Sequence, residues 1–194
     1  EGTIAMMEGR LSDAAKRFGQ SLAVAANTGD RRIQAVRIFQ LGTALLEAGE
    51  LESAIKDYRT ARRMFKEFGE RFNEAMVLVG ISQVHYVQEN YPQARALLFE
   101  CLDILKAVGS EARAGIALAN LGEIEIAMGE YDSAKTHLVE AIQVSEEFGM
   151  ARISAAAHSA LGLLFLRQGE PVQAGIELRI AEASLRGINE PIEL

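Results

Sequence analysis

The residues of this sequence whose types could do chemistry are three histidines, one cysteine, a glutamate cluster and a basic stripe. A helical metal site needs two imidazoles four residues apart on one face, and no two of His85, His137 and His158 have that spacing. His85 occupies a repeat position shared with Leu45 and Phe165, and His158 one shared with Ile38, Leu78 and Leu118. Both positions face the core, so both are read as packed or interface histidines; His137 stands alone on its helix. Glu123, Glu125 and Glu130 lie close together, but general acid–base work needs an enclosed carboxylate. Glu125 points off the face of Glu123, and the group is read as solvated charge. Cys101 is the only cysteine and falls in a column of small residues. It is read as inert packing, and it leaves no intrachain disulfide or cysteine-based zinc cluster. A reducing, cytoplasmic setting is expected. No catalytic residue, metal or cofactor is expected.

Lys56, Arg59, Arg63 and Lys66 form a cationic stripe on one helical face, with Arg62 beside it. An acidic partner or a nucleic acid would suit it. Glu52, Asp57 and Glu67 dilute the stripe, and no aromatic side chains interleave to stack bases. A solvated outer face is the expectation.

Whole-chain charge points the same way. The 194 residues carry a formal net charge of −7, whereas a nucleic-acid binder has a basic footprint. Residues 1–80 hold 12 Lys and Arg against 11 Asp and Glu; residues 81–194 hold 8 against 16. A basic partner would be steered to the second half. With 49% apolar and 24% charged residues, the composition is that of a globular chain. The longest mostly apolar stretch, Ile153 to Leu166, is interrupted by Ser154, His158, Ser159 and Gly162. It is also shorter than the roughly 20 residues a spanning helix needs, so no membrane contact is expected. A first residue of Glu1 rather than methionine is read as a sign of processing or excision.

The elements that must position these groups repeat every 40 residues. Gly2, Gly42, Gly122 and Gly162 share one column, with Ser82 in the middle place. Gly9, Gly49, Gly129 and Gly169 share another, with Glu89 in the middle place. Ala14, Ala54, Ala94, Ala134 and Ala174 make an unbroken column, followed by Phe18, Tyr58, Leu98, Leu138 and Leu178. Ser21, Ala61, Cys101, Ala141 and Ala181 come next, then Gly29, Gly69, Gly109 and Gly149, with Asn189 fifth. Five copies align without insertion. Each divides into two helical stretches of about 18 residues, with apolar residues at helical spacing, such as Ile38, Leu41 and Leu45. Junction glycines turn one helix into the next. Pro92 and Pro171 sit at helix starts, where a missing N–H costs nothing. No stretch alternates with period two, so no strand is predicted. A glycine inside a helix costs about 1 kcal/mol relative to alanine. Its recurrence at 42, 122 and 162 therefore predicts a helix–helix approach too close for a Cβ atom, with the invariant alanine as the opposing contact.

Leu-Gly in the first helix, then Gly, Ala, an aromatic or Leu, and a small residue resembles the tetratricopeptide repeat. A helical period near 40 also occurs in HEAT and armadillo arrays, but the small-residue column favours the tetratricopeptide reading. The unit is longer than the ~34 residues of the shorter repeat. It is similar to the lengthened units of kinesin light chains, of Pins-type polarity adaptors, and of sensor arms in bacterial signal-transduction ATPases and transcription regulators. Ala94-Arg95-Ala96-Leu97-Leu98 and Leu118-Ala119-Asn120-Leu121-Gly122 look most like the bacterial arms.

The resemblance implies an all-α, right-handed superhelical solenoid of about five helix pairs. The repeats would run 1–29 (truncated), 30–69, 70–109, 110–149 and 150–189, with a tail at 190–194, in one array over 1–194. First helices would line a concave groove and second helices the outside. If Ile38, Leu41 and Leu45 point inward, periodicity puts Val36, Gln40, Thr43 and Glu47 on the groove. Met76, Gly80, Gln83 and Val87 follow in the third unit, Ile116, Asn120, Glu123 and Ala127 in the fourth, and Ala156, Ala160, Leu163 and Arg167 in the fifth. Amides such as Gln40, Gln83 and Asn120 suit a peptide backbone. Adaptors of this family contact peptide through an asparagine before Leu-Gly. Only Asn120 matches; Gln40, Gly80 and Ala160 depart.

The function expected is a non-catalytic protein- or peptide-binding scaffold within a larger signalling or regulatory protein. An effector-sensing arm of a bacterial regulator or ATPase, and self-assembly through open ends, are the alternatives. A short opening helix over Glu1–Glu8 with Ile4, Met6 and Met7, and a last helix apolar on several faces, predict a longer array or a homodimer through exposed terminal helices.

Overall fold

In the computed structural model, residues 19–20 and 29–189 are described. The expectations for the opening helix at Glu1–Glu8, for most of the first repeat and for the tail fall outside them. From Gly29 onward the described residues form eight α-helices and no strand: α1 (Arg31–Glu47), α2 (Leu51–Glu67), α3 (Arg71–Val87), α4 (Tyr91–Ala107), α5 (Glu111–Met128), α6 (Tyr131–Glu147), α7 (Ala151–Gln168) and α8 (Pro171–Asn189). The 40-residue register of the sequence becomes one helix pair per repeat.

The junctions show why the glycine columns exist. Gly29, Gly49, Gly69, Gly109, Gly129, Gly149 and Gly169 all have φ between 65° and 80°. At Gly49 the left-handed turn lets the Glu50 amide donate back to the Leu45 carbonyl at 2.8 Å, closing the helix end in a Schellman pattern. Glu89 holds the same place without being glycine. Its φ is 58°, and the Asn90 amide still reaches the His85 carbonyl at 2.8 Å. The start of α1 is capped differently: the Asp30 carboxylate accepts from the amides of Arg32 and Ile33, both at 3.0 Å.

The chain divides into two compact units, Glu1–Ile104 and Leu105–Leu194. In the N-terminal unit α2 packs on α1 and on α3, and α1 touches α3. Its core joins Ala35, Ala54, Tyr58, Phe65, Val77 and Val84. Tyr58 fills the gap between two first helices. A Cβ on Gly42 would stand 3.0 Å from the Tyr58 ring, and one on Gly80 would stand 2.6 Å from it. In the C-terminal unit α6 packs on α5 and α7, and α7 on α5 and α8. There a Cβ on Gly122 would overlap Leu138, and one on Gly162 would lie 2.9 Å from Leu178.

The close approach expected from the helical glycines is present, but its partner differs from the alanine column. The side chain met first belongs to the next column: Tyr58, Leu138 or Leu178. The carbonyls of Ala54 and Ala174 come second, at 3.4 Å from Gly42 and Gly162. A large side chain leaning back along its helix covers the turn before its own Cα, which carries it over the glycine.

Candidate functional site

The first-helix residues singled out by periodicity fall into one set per unit. In the N-terminal unit Val36 and Glu47 on α1 and Gln83 and Val87 on α3 are exposed, with Gln40, Thr43 and Met76 part-buried. Val87 is 55% exposed, unusual for a valine on a packed helix. Gly80 is not on this surface; it lies under the Tyr58 ring. Some of the polar groups already have internal partners. Arg37 donates to the Gln40 side-chain oxygen at 2.7 Å. The Thr43 hydroxyl donates to the Phe39 carbonyl at 3.2 Å and accepts from Tyr58 at 3.3 Å.

In the C-terminal unit Glu123 on α5 and Leu163 and Arg167 on α7 are exposed, and Ile116 and Asn120 are part-buried. The Asn120 amide donates to the Ile116 carbonyl one turn earlier at 2.7 Å. Ala156 and Ala127 are exposed, whereas Ala160 is buried. Partial burial raises the pKa of Glu47 and of Glu123 above the ordinary 4.5. Both stay exposed by area, so crowding around the carboxyl rather than enclosure is the cause.

The opposite face of α3 carries a second feature. A cleft of about 530 Å³ is lined by Arg59, Arg62, Arg63, Lys66 and Glu67 of α2, by Ile81 and His85 of α3, and by Gln93 and Leu97 of α4. The basic stripe is therefore one wall of a cleft, a finding that departs from the expected solvated face. Two of the charges are neutralised. Arg62 pairs with the buried Glu74 at 3.7 Å and with Glu100, and Glu67 takes Arg31 at 2.9 Å. The Nδ1 atom of His85 is buried with no hydrogen-bond partner among the described residues. Desolvation, then the nearby Arg59 cation, lowers the His85 pKa below 6.5.

The other titratable groups are tied into structure. Glu125 is 2% exposed and lies 2.8 Å from His137 Nδ1. The reading of Glu125 as solvated charge is thus corrected: its position is the core-facing one shared with Leu45, His85 and Phe165. His137, expected to be alone, is its partner. His158 is buried as expected and contacts Glu177 through Nδ1 at 2.6 Å. Glu74, which sequence reasoning passed over, is 1% exposed and takes Arg71 at 2.6 Å. Its repeat position also holds Ser154, which is buried too, and that column was the available signal. The Cys101 thiol is fully buried, and burial pushes its pKa up to about 12. Among the described residues no group of three His, Cys, Asp or Glu could hold a metal ion. None of the described helices is long and apolar enough to cross a membrane.

Eight helices of near-equal length among the described residues, paired at a 40-residue register and closed by left-handed residues that are glycine everywhere but Glu89, define a helix-pair repeat fold. Family models described as tetratricopeptide repeat match residues 34–107 and 73–147, and a second such model matches 119–185. The chain belongs to the tetratricopeptide repeat family. Among curated proteins none matches it. Solved structures share the fold at low identity. Aspartyl phosphate phosphatase F from Bacillus subtilis superposes with a TM-score of 0.82 at 16% identity, over 97% of this chain and 50% of that one. BtubC from P. vanneervenii gives 0.74 at 16%, over 100% and 80%. A signal-transduction ATPase with a tetratricopeptide repeat sensor, from Pyrococcus horikoshii, gives 0.67 at 20%, over 89% and 27%. This chain thus spans about half of the phosphatase and about a quarter of the ATPase.

Proposed function

We propose that this chain is a non-catalytic protein-interaction scaffold that binds a protein or peptide through the first-helix faces of its units. The observation that carries the reading is exposed apolar surface at the positions periodicity assigns to those faces. Val36, Val87 and Leu163 are 37%, 55% and 43% exposed, with amides and charges between them. Apolar anchors interspersed with hydrogen-bonding groups suit an extended peptide. Membership in the tetratricopeptide repeat family supports an interaction role. The name of the Pyrococcus horikoshii ATPase, which includes a repeat sensor, supports the narrower alternative of an effector-sensing arm in a larger regulator. A reading as a cytoplasmic signalling module rests on the same family resemblance.

A peptide-library binding screen tests the proposal, with Val87→Asp for the N-terminal unit and Leu163→Asp for the C-terminal one. Micromolar hits weakened at least tenfold by either variant, with unchanged circular dichroism, support it. Hits indifferent to both overturn it. Self-association is the second reading. On α8, Val172, Ile176 and Ile180 recur every four residues and are 71%, 46% and 40% exposed, and such a row is relieved by a neighbour. A mass that stays monomeric in sedimentation at high concentration overturns that reading.

A further inference from the structure

We infer that the cleft between α2 and α4 is a second binding site, for an acidic peptide segment whose carboxylates are held by Arg59, Arg63 and Lys66 above His85. The site is distinct from the first-helix face. At about 100° per residue, Ile81 and His85 lie roughly opposite Gln83 and Val87 around α3, and the two surfaces share no residue.

Four observations converge on an anion. The first is the spare charge on the α2 wall: Arg62 is matched by Glu74 and Glu100, whereas Arg59, Arg63 and Lys66 have no carboxylate partner among the described residues. The second is spacing. Like charges at i, i+4 and i, i+3 repel along a helix, so Arg59, Arg63 and Lys66 sit in an arrangement that a bound anion relieves. The third is the floor. His85 Nδ1 is buried and unpartnered among the described residues, a polar atom that a ligand group can satisfy. The fourth is the contrast with the equivalent positions one repeat later in the sequence. His85 and Leu97 correspond to Glu125 and His137, which contact each other at 2.8 Å. By the same one-repeat shift Arg59, Arg63 and Lys66 correspond to Phe99, Asp103 and Lys106, so a single cation and one acid replace the three cations. The fold accepts an internal imidazole–carboxylate pair at this place. In the cleft His85 stands where Glu125 does, Leu97 offers it no carboxylate or imidazole, and three cations stand beside it.

The dimensions favour a peptide. Arg59 and Arg63 are about 6 Å apart along the helix axis, close to the roughly 6.7 Å between alternate side chains of an extended chain. Acidic residues at alternate positions would meet successive cations, while Ile81 and Leu97 offer apolar contact to what lies between. Arginine pairs with carboxylates in bidentate fashion, and the stripe's two spare arginines provide two such forks.

The test is fluorescence anisotropy on the full chain with a labelled peptide of sequence Gly-Ser-Glu-Val-Glu-Val-Glu-Ser-Gly. Saturable binding is expected, weakened at least fivefold by Arg59→Gln and by Arg63→Gln. Lys56→Gln, which removes the same charge from α2 outside the cleft, should change affinity less than twofold. In parallel, the His85 imidazole resonances are followed by NMR: bound carboxylate should move its titration to higher pH. Absence of saturable binding overturns the proposal, as does equal weakening by Lys56→Gln, which would mark a diffuse charge effect. An unmoved His85 titration overturns the placement over His85. Tighter binding of inorganic phosphate, or of duplex DNA at equal charge, overturns the peptide assignment. Thermal melts of each variant separate lost binding from lost folding.

Discussion

The two units use the same columns for different chemistry. The N-terminal unit is nearly balanced, with 13 Lys and Arg against 14 Asp and Glu, while the C-terminal unit has 7 against 13. The balance hides a local asymmetry: cations of the first unit gather on one wall of a cleft, with a histidine at its floor whose Nδ1 has no partner among the described residues. In the second unit imidazoles are consumed by carboxylates, His137 by the buried Glu125 and His158 by the part-buried Glu177. A repeat fixes where a side chain stands and leaves open what it meets. The pair at 85 and 97 is a histidine beside a leucine; the pair at 125 and 137 is a glutamate beside a histidine. Polar material at a core-facing position becomes structural cement in one unit and an open valence in the other.

The largest expected effect breaks the second unit's version of that pair. His137→Leu gives the position the apolar character of Leu97 and strands the Glu125 carboxylate, which is 2% exposed. Stranding a buried charge costs about 3 kcal/mol, read as a lower urea midpoint. Adding Glu125→Leu should restore most of the loss, since two apolar partners leave nothing unsatisfied. The matching carboxylate of the first unit, Glu74, is better insured. Arg71→Leu leaves Arg62 at 3.7 Å and should cost about 1 kcal/mol. Equal losses from the two leucine variants would mean that the units do not differ in this respect.

Next in size are the helical glycines, where the same substitution should act differently in each unit. At Gly122 the added methyl falls on the branch carbon of Leu138, which cannot move without the core moving. A crowding cost of about 1–3 kcal/mol exceeds the helix-propensity gain of about 1 kcal/mol. At Gly42 the methyl stands 3.0 Å from the edge of the Tyr58 ring, which can shift by tenths of an ångström. Gly42→Ala should therefore be close to neutral, and thermal melts of the two variants would show the gap.

How much of this was legible follows from what a column constrains. The glycine at 42, 122 and 162 announced a close approach because only backbone geometry accounts for its recurrence. Junction glycines announced tight turns for the same reason, but that Glu89 keeps the left-handed conformation of its column against its residue type is a finding of the structure. Partners were less legible. Nothing in the sequence says that Leu138 rather than Ala134 leans over Gly122, because that depends on side-chain direction. Nor does it say that His137 reaches Glu125, since the contact crosses between the helices of a pair. The cleft was hidden because the stripe on α2 is visible in sequence, whereas its opposite wall comes from α4 and its floor from α3.

A smaller effect tests the Glu89 exception. A non-glycine residue at φ 58° carries roughly 1 kcal/mol of strain, partly offset by the greater chain entropy that glycine loses on folding. Glu89→Gly should raise stability by about 0.5 kcal/mol, a shift of one or two degrees in Tm. A loss of stability would show that the Glu89 side chain compensates for its backbone.

The smallest effect compares Thr43 with Glu123, which occupy the same repeat position. Thr43 faces Tyr58 and shares a hydrogen bond with its hydroxyl at 3.3 Å. The residue equivalent to Tyr58 in the second unit is Leu138, which has no hydroxyl to offer. Crowding without a donor raises the Glu123 pKa above 4.5. The folded chain then holds this proton more tightly than the unfolded chain does. The stabilisation from the protonated form is complete below about pH 4.5, the unfolded value. It is lost as pH rises through the folded value, so ionised Glu123 opposes folding at neutral pH. Glu123→Gln removes the charge at every pH and keeps the shape. The variant should melt slightly above the parent at pH 7, by no more than roughly 1 °C because the group is exposed, and together with it at pH 4. Thr43→Val, which removes the hydroxyl that Tyr58 uses, should show no such convergence, because the hydrogen bond it breaks does not titrate in that range.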